Sequence, residues 1–130
     1  MSQRFLVDTH LLLWVALFPE RLPGKASVIL SDPANILYFS AASIWEISIK
    51  LTTPRKDLEI NVRDWRAGLL GNGYLELPIT SQHGMAVSDL PVLHKDPFDR
   101  LLLAQAMREN LTLLTADETL ATYPGPVLKV

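Results

Sequence analysis

The sequence contains no cysteine among its 130 residues. Disulfide bonds, thiolate catalysis and cysteine-ligated zinc or iron–sulfur centres are therefore excluded. This absence fits a reducing compartment, and we expect the protein to be cytoplasmic.

Long apolar runs and a strong charge bias are also missing. The longest apolar run, Leu11 to Phe18, is far too short to span a membrane, and no signal peptide is apparent, so we expect no membrane association. The 12 basic and 14 acidic residues give a formal net charge of −2, which provides no global attraction to nucleic acid. A local basic rim remains compatible with that sum. No glycine-rich phosphate loop and no serine nucleophile elbow are present.

The composition describes an ordinary globular protein. Hydrophobic residues make up 48% of the chain and charged residues 20%. A chain of this length can bury a proper core, and we predict one domain over residues 1–130.

Short apolar segments alternate with helical patterns along the chain. The predicted strands are Phe5–Val7, Ile36–Phe39, Tyr74–Leu77, Leu111–Leu114 and Val127–Val130. Strands that are separated by helices predict a mostly parallel twisted sheet with helices on both faces, a three-layer α/β/α fold.

Capping residues mark the helix starts. We predict Thr9 as the N-cap of a helix from His10 to Leu17, Ser40 for the helix after the second strand, and Thr80 for a later one. Asp96 is a predicted N-cap with Pro97 at the first helical position, opening a long helix to Glu109.

Four acidic residues stand where such a fold gathers side chains at one rim of its sheet. Asp8 directly follows the first strand, and Asp117 comes shortly after the fourth. Glu46 lies in the helix after the second strand, and Asp99 lies in the first turn of the helix before the fourth. Carboxylates gathered at one rim repel one another unless a cation neutralises them. An all-oxygen site suits Mg²⁺ or Mn²⁺, so the pattern favours a metal-dependent phosphodiester hydrolase.

Each acid also has a simpler interpretation. Asp8, Asp99 and Asp117 could be helix-terminal acids, each worth about 0.3–1 kcal/mol to a helix. Glu46 could lie on an exposed helix face, paired with Lys50 four residues later. The joint pattern favours a shared site, because four unrelated structural roles would not be expected to place all four acids on the same rim.

Several other polar residues are secondary candidates. Basic residues that could contact phosphates are Lys50, Arg55, Lys56, Lys95 and Arg100, although any of them could be an ordinary solvated charge. Arg100 could instead pair with Asp99. Thr115 could orient a water molecule or simply close a turn. His10, His83 and His94 lack zinc-ligand spacing and are predicted to be structural or surface residues.

Four blocks of the chain together resemble one known family. They are the segments Phe5–His10 (FLVDTH), Ser40–Lys50 (SAASIWEISIK), His94–Ala106 (HKDPFDRLLLAQA) and Leu113–Asp117 (LLTAD). In this order, across nearly the whole chain, they are similar to the PIN-domain family and most of all to the VapC-type toxins of bacterial toxin–antitoxin pairs.

The resemblance implies both a fold and an activity. The implied fold is a parallel sheet flanked by helices with an acidic pocket, and the implied activity is Mg²⁺- or Mn²⁺-dependent cleavage of RNA. The family's catalytic and metal-binding acids correspond to Asp8, Glu46, Asp99 and Asp117, all of which are intact. The resemblance also implies a homodimer and a cognate small antitoxin protein as partner.

Rival hypotheses come from other functional classes. One is a catalytically silent PIN-like module that binds RNA or a protein. Another is an aspartyl phospho-acceptor of the receiver type, which fits poorly because Lys129 lies inside the last predicted strand rather than after a late strand near the acids.

Overall fold

The computed structural model describes residues 3–54 and 58–130, in which strands and helices alternate. The strands are β1 (Arg4–Val7), β2 (Ile36–Ser40), β3 (Leu75–Leu77), β4 (Thr112–Thr115) and β5 (Val127–Lys129). The α-helices are α1 (Thr9–Leu17), α2 (Gly24–Ser31), α3 (Ala41–Lys50), α4 (Val62–Gly71), α5 (Ser81–Ala86) and α6 (Pro97–Glu109). In the described part of the chain, no helix combines the length and apolar character needed to cross a membrane.

The five strands form one sheet in the order β3-β2-β1-β4-β5, and every pairing is parallel. The first strand is central, because Leu6 is in register with Tyr38 on one side and with Leu113 on the other. The chain therefore builds outward in both directions from β1. In such sheets the crevice at the carboxyl ends of the strands is the usual ligand site.

Alternate residues of β1 face two separate apolar cores, which makes the fold three-layered. Phe5 and Val7 belong to a core that includes Leu11 of α1 and Trp65 of α4. Leu6, between them, belongs to the core that includes residues of α6. The predicted three-layer α/β/α class is thereby confirmed. The predicted bounds of all five strands lie within one residue of those observed.

One predicted helix cap is wrong. The N-cap of α1 is Asp8, whose carboxylate accepts a hydrogen bond from the Leu11 backbone N–H at 3.0 Å. Thr9 is the first helical residue, and its buried hydroxyl lies 2.8 Å from the Ser43 hydroxyl instead. The other three predicted caps are confirmed: Ser40 for α3, Thr80 for α5 and Asp96 for α6.

Candidate metal centre

Asp8 stands at the carboxyl end of the central strand and is almost fully buried. One carboxylate oxygen accepts from the Leu11 N–H and the other accepts from the Thr115 hydroxyl. Burial raises the pKa of Asp8, while these two hydrogen bonds act in the opposite direction. Helix α1 and strand β4 thus both fix the orientation of this carboxylate.

Glu46 lies in the middle of α3, yet its residue exposure is only 2%. Its Oε2 is 2.8 Å from the Lys50 ammonium, so the predicted pair exists, but the glutamate does not lie on an exposed face. The other oxygen, Oε1, is buried and has no hydrogen-bond partner among the described residues. An unpartnered buried carboxylate oxygen is costly, which is the state expected of a ligand atom without its cation.

Asp99 lies in the first turn of α6, where its backbone N–H donates to the Asp96 carboxylate at 3.3 Å. Its own carboxylate is buried. Burial, followed by the negative charges of Asp96, Asp8, Glu46 and Asp117, raises its pKa from 3.8 to about 8. The three other predicted acids are therefore close enough to Asp99 for their charges to act on its carboxyl group.

Asp117 follows β4 and is the most accessible of the four acids, with a side-chain exposure of 34%. Its backbone N–H donates to the Thr115 hydroxyl at 3.0 Å, and its Oδ1 accepts from the Leu120 N–H at 2.9 Å. Partial burial works to raise its pKa, but the hydrogen bond from the Leu120 N–H and the proximity of His94 outweigh it and lower the pKa below its ordinary value. Asp117 thus closes a turn and also faces the other acids.

His94 is predicted to be a structural or surface residue, and the structure places it among the acids. Its Nε2 lies 3.1 Å from Asp99 Oδ2 and 3.5 Å from Asp117 Oδ2. One ligand-type atom from each of these three residues lies within 4.8 Å of the others. No local motif signals this position, because His94 belongs to a loop and its neighbours in the site come from α6 and from the end of β4.

Main-chain hydrogen bonds fix the loop that carries His94. The buried Tyr123 hydroxyl accepts from the N–H groups of Leu93 and His94, at 3.2 and 2.9 Å. The imidazole Nδ1 accepts from the Asp96 N–H at 3.1 Å. The ring is therefore held from both its backbone and its Nδ1 edge.

The basic residues that were candidates for phosphate contacts occupy different environments. Lys50 pairs with Glu46. Arg100 donates from Nη2 to the carbonyl oxygens of Val87 and Leu90, at 3.2 and 3.3 Å, rather than to Asp99. Lys95 is exposed beside His94. Arg55 and Lys56 lie outside the described residues.

A cavity of about 140 Å³ lies beside α1. Its lining includes His10, Trp14, Phe18, Arg21 and Lys50. Since Lys50 also contacts Glu46, this lysine stands between the cavity and the acidic cluster. The side chains that line the cavity are mostly apolar, and its charged lining residues, Arg21 and Lys50, are basic.

The donor set fits a hard divalent cation. The predicted ligands are carboxylates, which Mg²⁺ and Mn²⁺ prefer, and burial together with repulsion from the neighbouring acids disfavours the charged form of Asp99. The unpartnered Oε1 of Glu46 adds an oxygen that only a cation or a donor would satisfy. The assignment of Asp8, Glu46, Asp99 and Asp117 as metal ligands stays a prediction.

Comparison with known proteins gives a consistent set of relatives. The family model of the PIN domain matches residues 5–126. Ribonuclease VapC22 from Mycobacterium tuberculosis is 29% identical over 121 residues, covering 93% of this chain and 92% of that protein. The crystal structure of VapBC2 from Rickettsia felis bound to a DNA fragment from their promoter is similar, with a TM-score of 0.69, 13% identity and coverage of 98% of both chains. FitAcB from Neisseria gonorrhoeae gives a TM-score of 0.53 at 17% identity over 89% of both chains. These two structural likenesses concern the fold.

Proposed function

The chain belongs to the PIN domain family, and from this premise we propose that it is a VapC-type ribonuclease that depends on Mg²⁺ or Mn²⁺. The proposal is supported by the similarity to a named VapC ribonuclease over nearly the full length of both proteins. It is further supported by the four acids, because the charges of Asp8, Glu46 and Asp117 all act on the carboxyl group of Asp99.

We assign the four acids to the cation. Asp8, Glu46, Asp99 and Asp117 would hold one or two divalent ions through carboxylate oxygens. When bound, Mg²⁺ or Mn²⁺ supplies a Lewis acid that polarises the phosphodiester and lowers the pKa of the attacking water. The protein's own contribution is orientation: Thr115 and the start of α1 hold Asp8, while α6 carries Asp99.

Binding the substrate at an acidic rim requires compensating positive charge. Lys50 lies at the edge of the acids and is about one-third exposed, so it can contact a phosphate on the solvent side of Glu46. Lys95, exposed next to His94, is the second candidate. Both residues would act as sequence-independent phosphate contacts.

One observation carries the proposal. Glu46 is buried in the middle of a helix, with one oxygen on Lys50 and the other without a hydrogen-bond partner in the part of the chain that the structure describes. A structural role explains the paired oxygen but leaves the second one at a desolvation cost of about 1–3 kcal/mol. A bound cation at this rim would account for both the burial of Glu46 and the lack of a hydrogen-bond donor to Oε1 among the described residues.

The experiment is cleavage of a panel of RNAs by the purified protein, with EDTA and with Mg²⁺ or Mn²⁺ added back. We expect cleavage that EDTA abolishes and either metal restores. Asp8→Asn should reduce cleavage by roughly 100-fold or more, the scale seen when one group that stabilises a transition state is removed.

A matched control is available one residue from the site. The side chain of Glu118 is 88% exposed, and Glu118→Gln removes the same charge next to Asp117 without touching the buried cluster. It should retain wild-type cleavage. Activity that persists in EDTA would refute the metal requirement. Metal binding without any RNA cleavage would favour the catalytically silent, RNA- or protein-binding alternative.

We further propose a small antitoxin as the protein partner, a homodimer as the functional assembly and the cytoplasm as the location. The similarity to VapBC2 supports the first of these. Co-expression with the product of a short neighbouring reading frame should yield a stable complex in which RNA cleavage is suppressed. Light scattering of the isolated protein should give twice the chain mass of 14.5 kDa.

A further inference from the structure

The hydrogen bond at Nδ1 of His94 determines where the imidazole carries its proton. The Asp96 backbone N–H can only donate, and it points at Nδ1 from 3.1 Å. Nδ1 therefore accepts and bears no proton, which leaves the ring proton on Nε2. Nε2 is the nitrogen that is buried between the carboxylates of Asp99 and Asp117.

In metal-binding histidines the donor and acceptor roles of the two ring nitrogens are the reverse of these. A histidine that ligates a metal through one nitrogen almost always donates its other ring N–H to an acceptor. If His94 bound a cation through Nε2, its proton would move to Nδ1 and face the Asp96 N–H, donor against donor. Asp96 cannot turn that N–H away, because its carboxylate caps α6 through Phe98 and Asp99.

We propose that His94 is a positioning residue that presents its Nε2–H to Asp99 and Asp117 and holds these two carboxylates together without ligating the metal. This inference rests on the proposed function, since it concerns the same acids. In the present geometry Nε2 is 3.1 Å from one oxygen and 3.5 Å from the other, and neither contact is a well-angled hydrogen bond. Nε2 therefore faces both oxygens, and a small rotation of either carboxylate would complete a hydrogen bond.

Two properties of the carboxylates explain this positioning role: their mutual repulsion and the number of lone pairs on each oxygen. Two carboxylates that approach each other repel, and a neutral donor between them offsets part of that repulsion. A carboxylate oxygen that accepts one hydrogen bond keeps a further lone pair for a cation. The metal's ligands are then all oxygen, which favours Mg²⁺ and Mn²⁺ over the metals that imidazole would attract.

The first test uses the intact wild-type protein in EDTA and requires no activity. Long-range ¹H–¹⁵N correlation spectra of the histidine rings report which nitrogen carries the proton. We expect His94 to be protonated at Nε2 and unprotonated at Nδ1. A ring protonated at Nδ1 would overturn the proposal, whatever the enzyme does.

The second test separates the two edges of the ring with a pair of substitutions. In His94→Gln the side-chain amide can reach the place of Nε2–H but cannot accept from Asp96. In His94→Asn the side-chain oxygen can take the place of Nδ1 but does not reach the acids. Calorimetric titration with Mn²⁺ should show affinity about 10- to 100-fold weaker for His94→Asn and a clearly smaller loss for His94→Gln. Equal losses in both variants would overturn the proposal, provided that thermal unfolding shows both to be folded.

The third test separates positioning from ligation. Pulsed electron paramagnetic resonance of the Mn²⁺-loaded protein detects a directly bound nitrogen through its hyperfine coupling. We expect no such coupling in the wild type. A nitrogen coupling that disappears in His94→Gln would make His94 a ligand and would overturn this inference while leaving the proposed nuclease intact. Failure of the wild type to bind Mn²⁺ at all would instead refute the proposed function, and this inference with it.

Discussion

The hydroxyl of Thr115 donates a hydrogen bond to the carboxylate of Asp8, which lies 107 positions earlier in the sequence. The same hydroxyl oxygen accepts the backbone N–H of Asp117 at 3.0 Å. Because β1 and β4 are neighbours in the sheet, this one side chain connects the first acid of the site to the last.

Replacement of Thr115 by valine should therefore loosen both acids. Thr115→Val keeps the shape of the buried side chain but leaves the Asp8 oxygen and the Asp117 N–H without their partner. We expect a loss of roughly 1–3 kcal/mol in the free energy of unfolding, together with weaker Mn²⁺ binding. Thr115→Ser keeps the hydroxyl and loses only a methyl group, so its metal affinity should stay close to wild type. Denaturant unfolding and calorimetry would check this, and equal metal affinity in Val and Ser variants would contradict it.

Asp8→Asn should separate stability from activity. Asparagine is as good an N-cap as aspartate, so the bond from the Leu11 N–H survives. The substitution also removes a buried negative charge. In the absence of metal, the free energy of unfolding should stay the same or rise although cleavage is lost.

Asp8→Ala provides the contrast for that prediction. Alanine removes the cap as well as the charge and should be about 1 kcal/mol less stable than the asparagine variant. Urea denaturation of both proteins in EDTA measures the difference. An asparagine variant clearly less stable than wild type would show that the Asp8 charge is satisfied without a cation.

Lys50 should lower the dependence of stability on metal, because its ammonium already neutralises part of the Glu46 charge. Lys50→Met keeps much of the apolar stem and leaves Glu46 buried without that counter-charge. The metal-free variant should be less stable than wild type, and Mg²⁺ should restore more of its stability. We expect the rise in Tm on adding Mg²⁺ to exceed that of wild type by about 4 °C, the shift that about 1 kcal/mol gives in a domain of this size. An unchanged rise would mean that the cation does not contact Glu46.

The stability of the metal-free protein should fall as the pH rises. The pKa of Asp99 is raised from 3.8 to about 8 on folding, so between these values the folded state holds a proton that the unfolded state has lost. Stability falls with pH wherever the folded state binds more protons. The raised pKa of Asp8 acts in the same direction, and the lowered pKa of Asp117 acts in the opposite one.

The corresponding measurement is the urea midpoint in EDTA across the range from 3.8 to about 8. Asp99→Asn cannot titrate and should flatten the decline toward the upper end of that range. Addition of Mg²⁺ should restore stability most near the upper end, where the carboxylates are ionised. A wild-type midpoint that does not decline would contradict the assigned burial of Asp99.

Much of the fold could be predicted because local chemistry and global structure agree. Apolar segments such as Leu113–Leu114 form strands in a sheet covered on both faces, since Leu113 and Leu114 face different apolar cores. The cap of α1 was misassigned because Asp8 and Thr9 are both good N-cap residues. The choice between them depends on Ser43, which binds the Thr9 hydroxyl from a helix distant in sequence.

Some residues of the candidate site could likewise be predicted from local sequence, whereas others depend on tertiary contacts. Asp8 and Asp117 were visible because they follow apolar strands, and Glu46 because a mid-helix acid has no capping role. His94 was missed, since its place depends on Tyr123, which anchors its backbone from 29 positions away. Arg100 was misread for a related reason: its carbonyl partners at Val87 and Leu90 are defined only once the preceding loop has packed against α6.

The central position of β1 has a consequence for synthesis. Its partner β4 lies far later in the sequence, since Thr115 follows Asp8 by 107 positions, so a nascent polypeptide carries Asp8 and Glu46 before it carries Asp99 and Asp117. Until then the middle of the sheet has one open edge and the rim has half its negative charge. The proposed nuclease site would therefore be incomplete in a nascent chain until β4 and Asp117 have been synthesised.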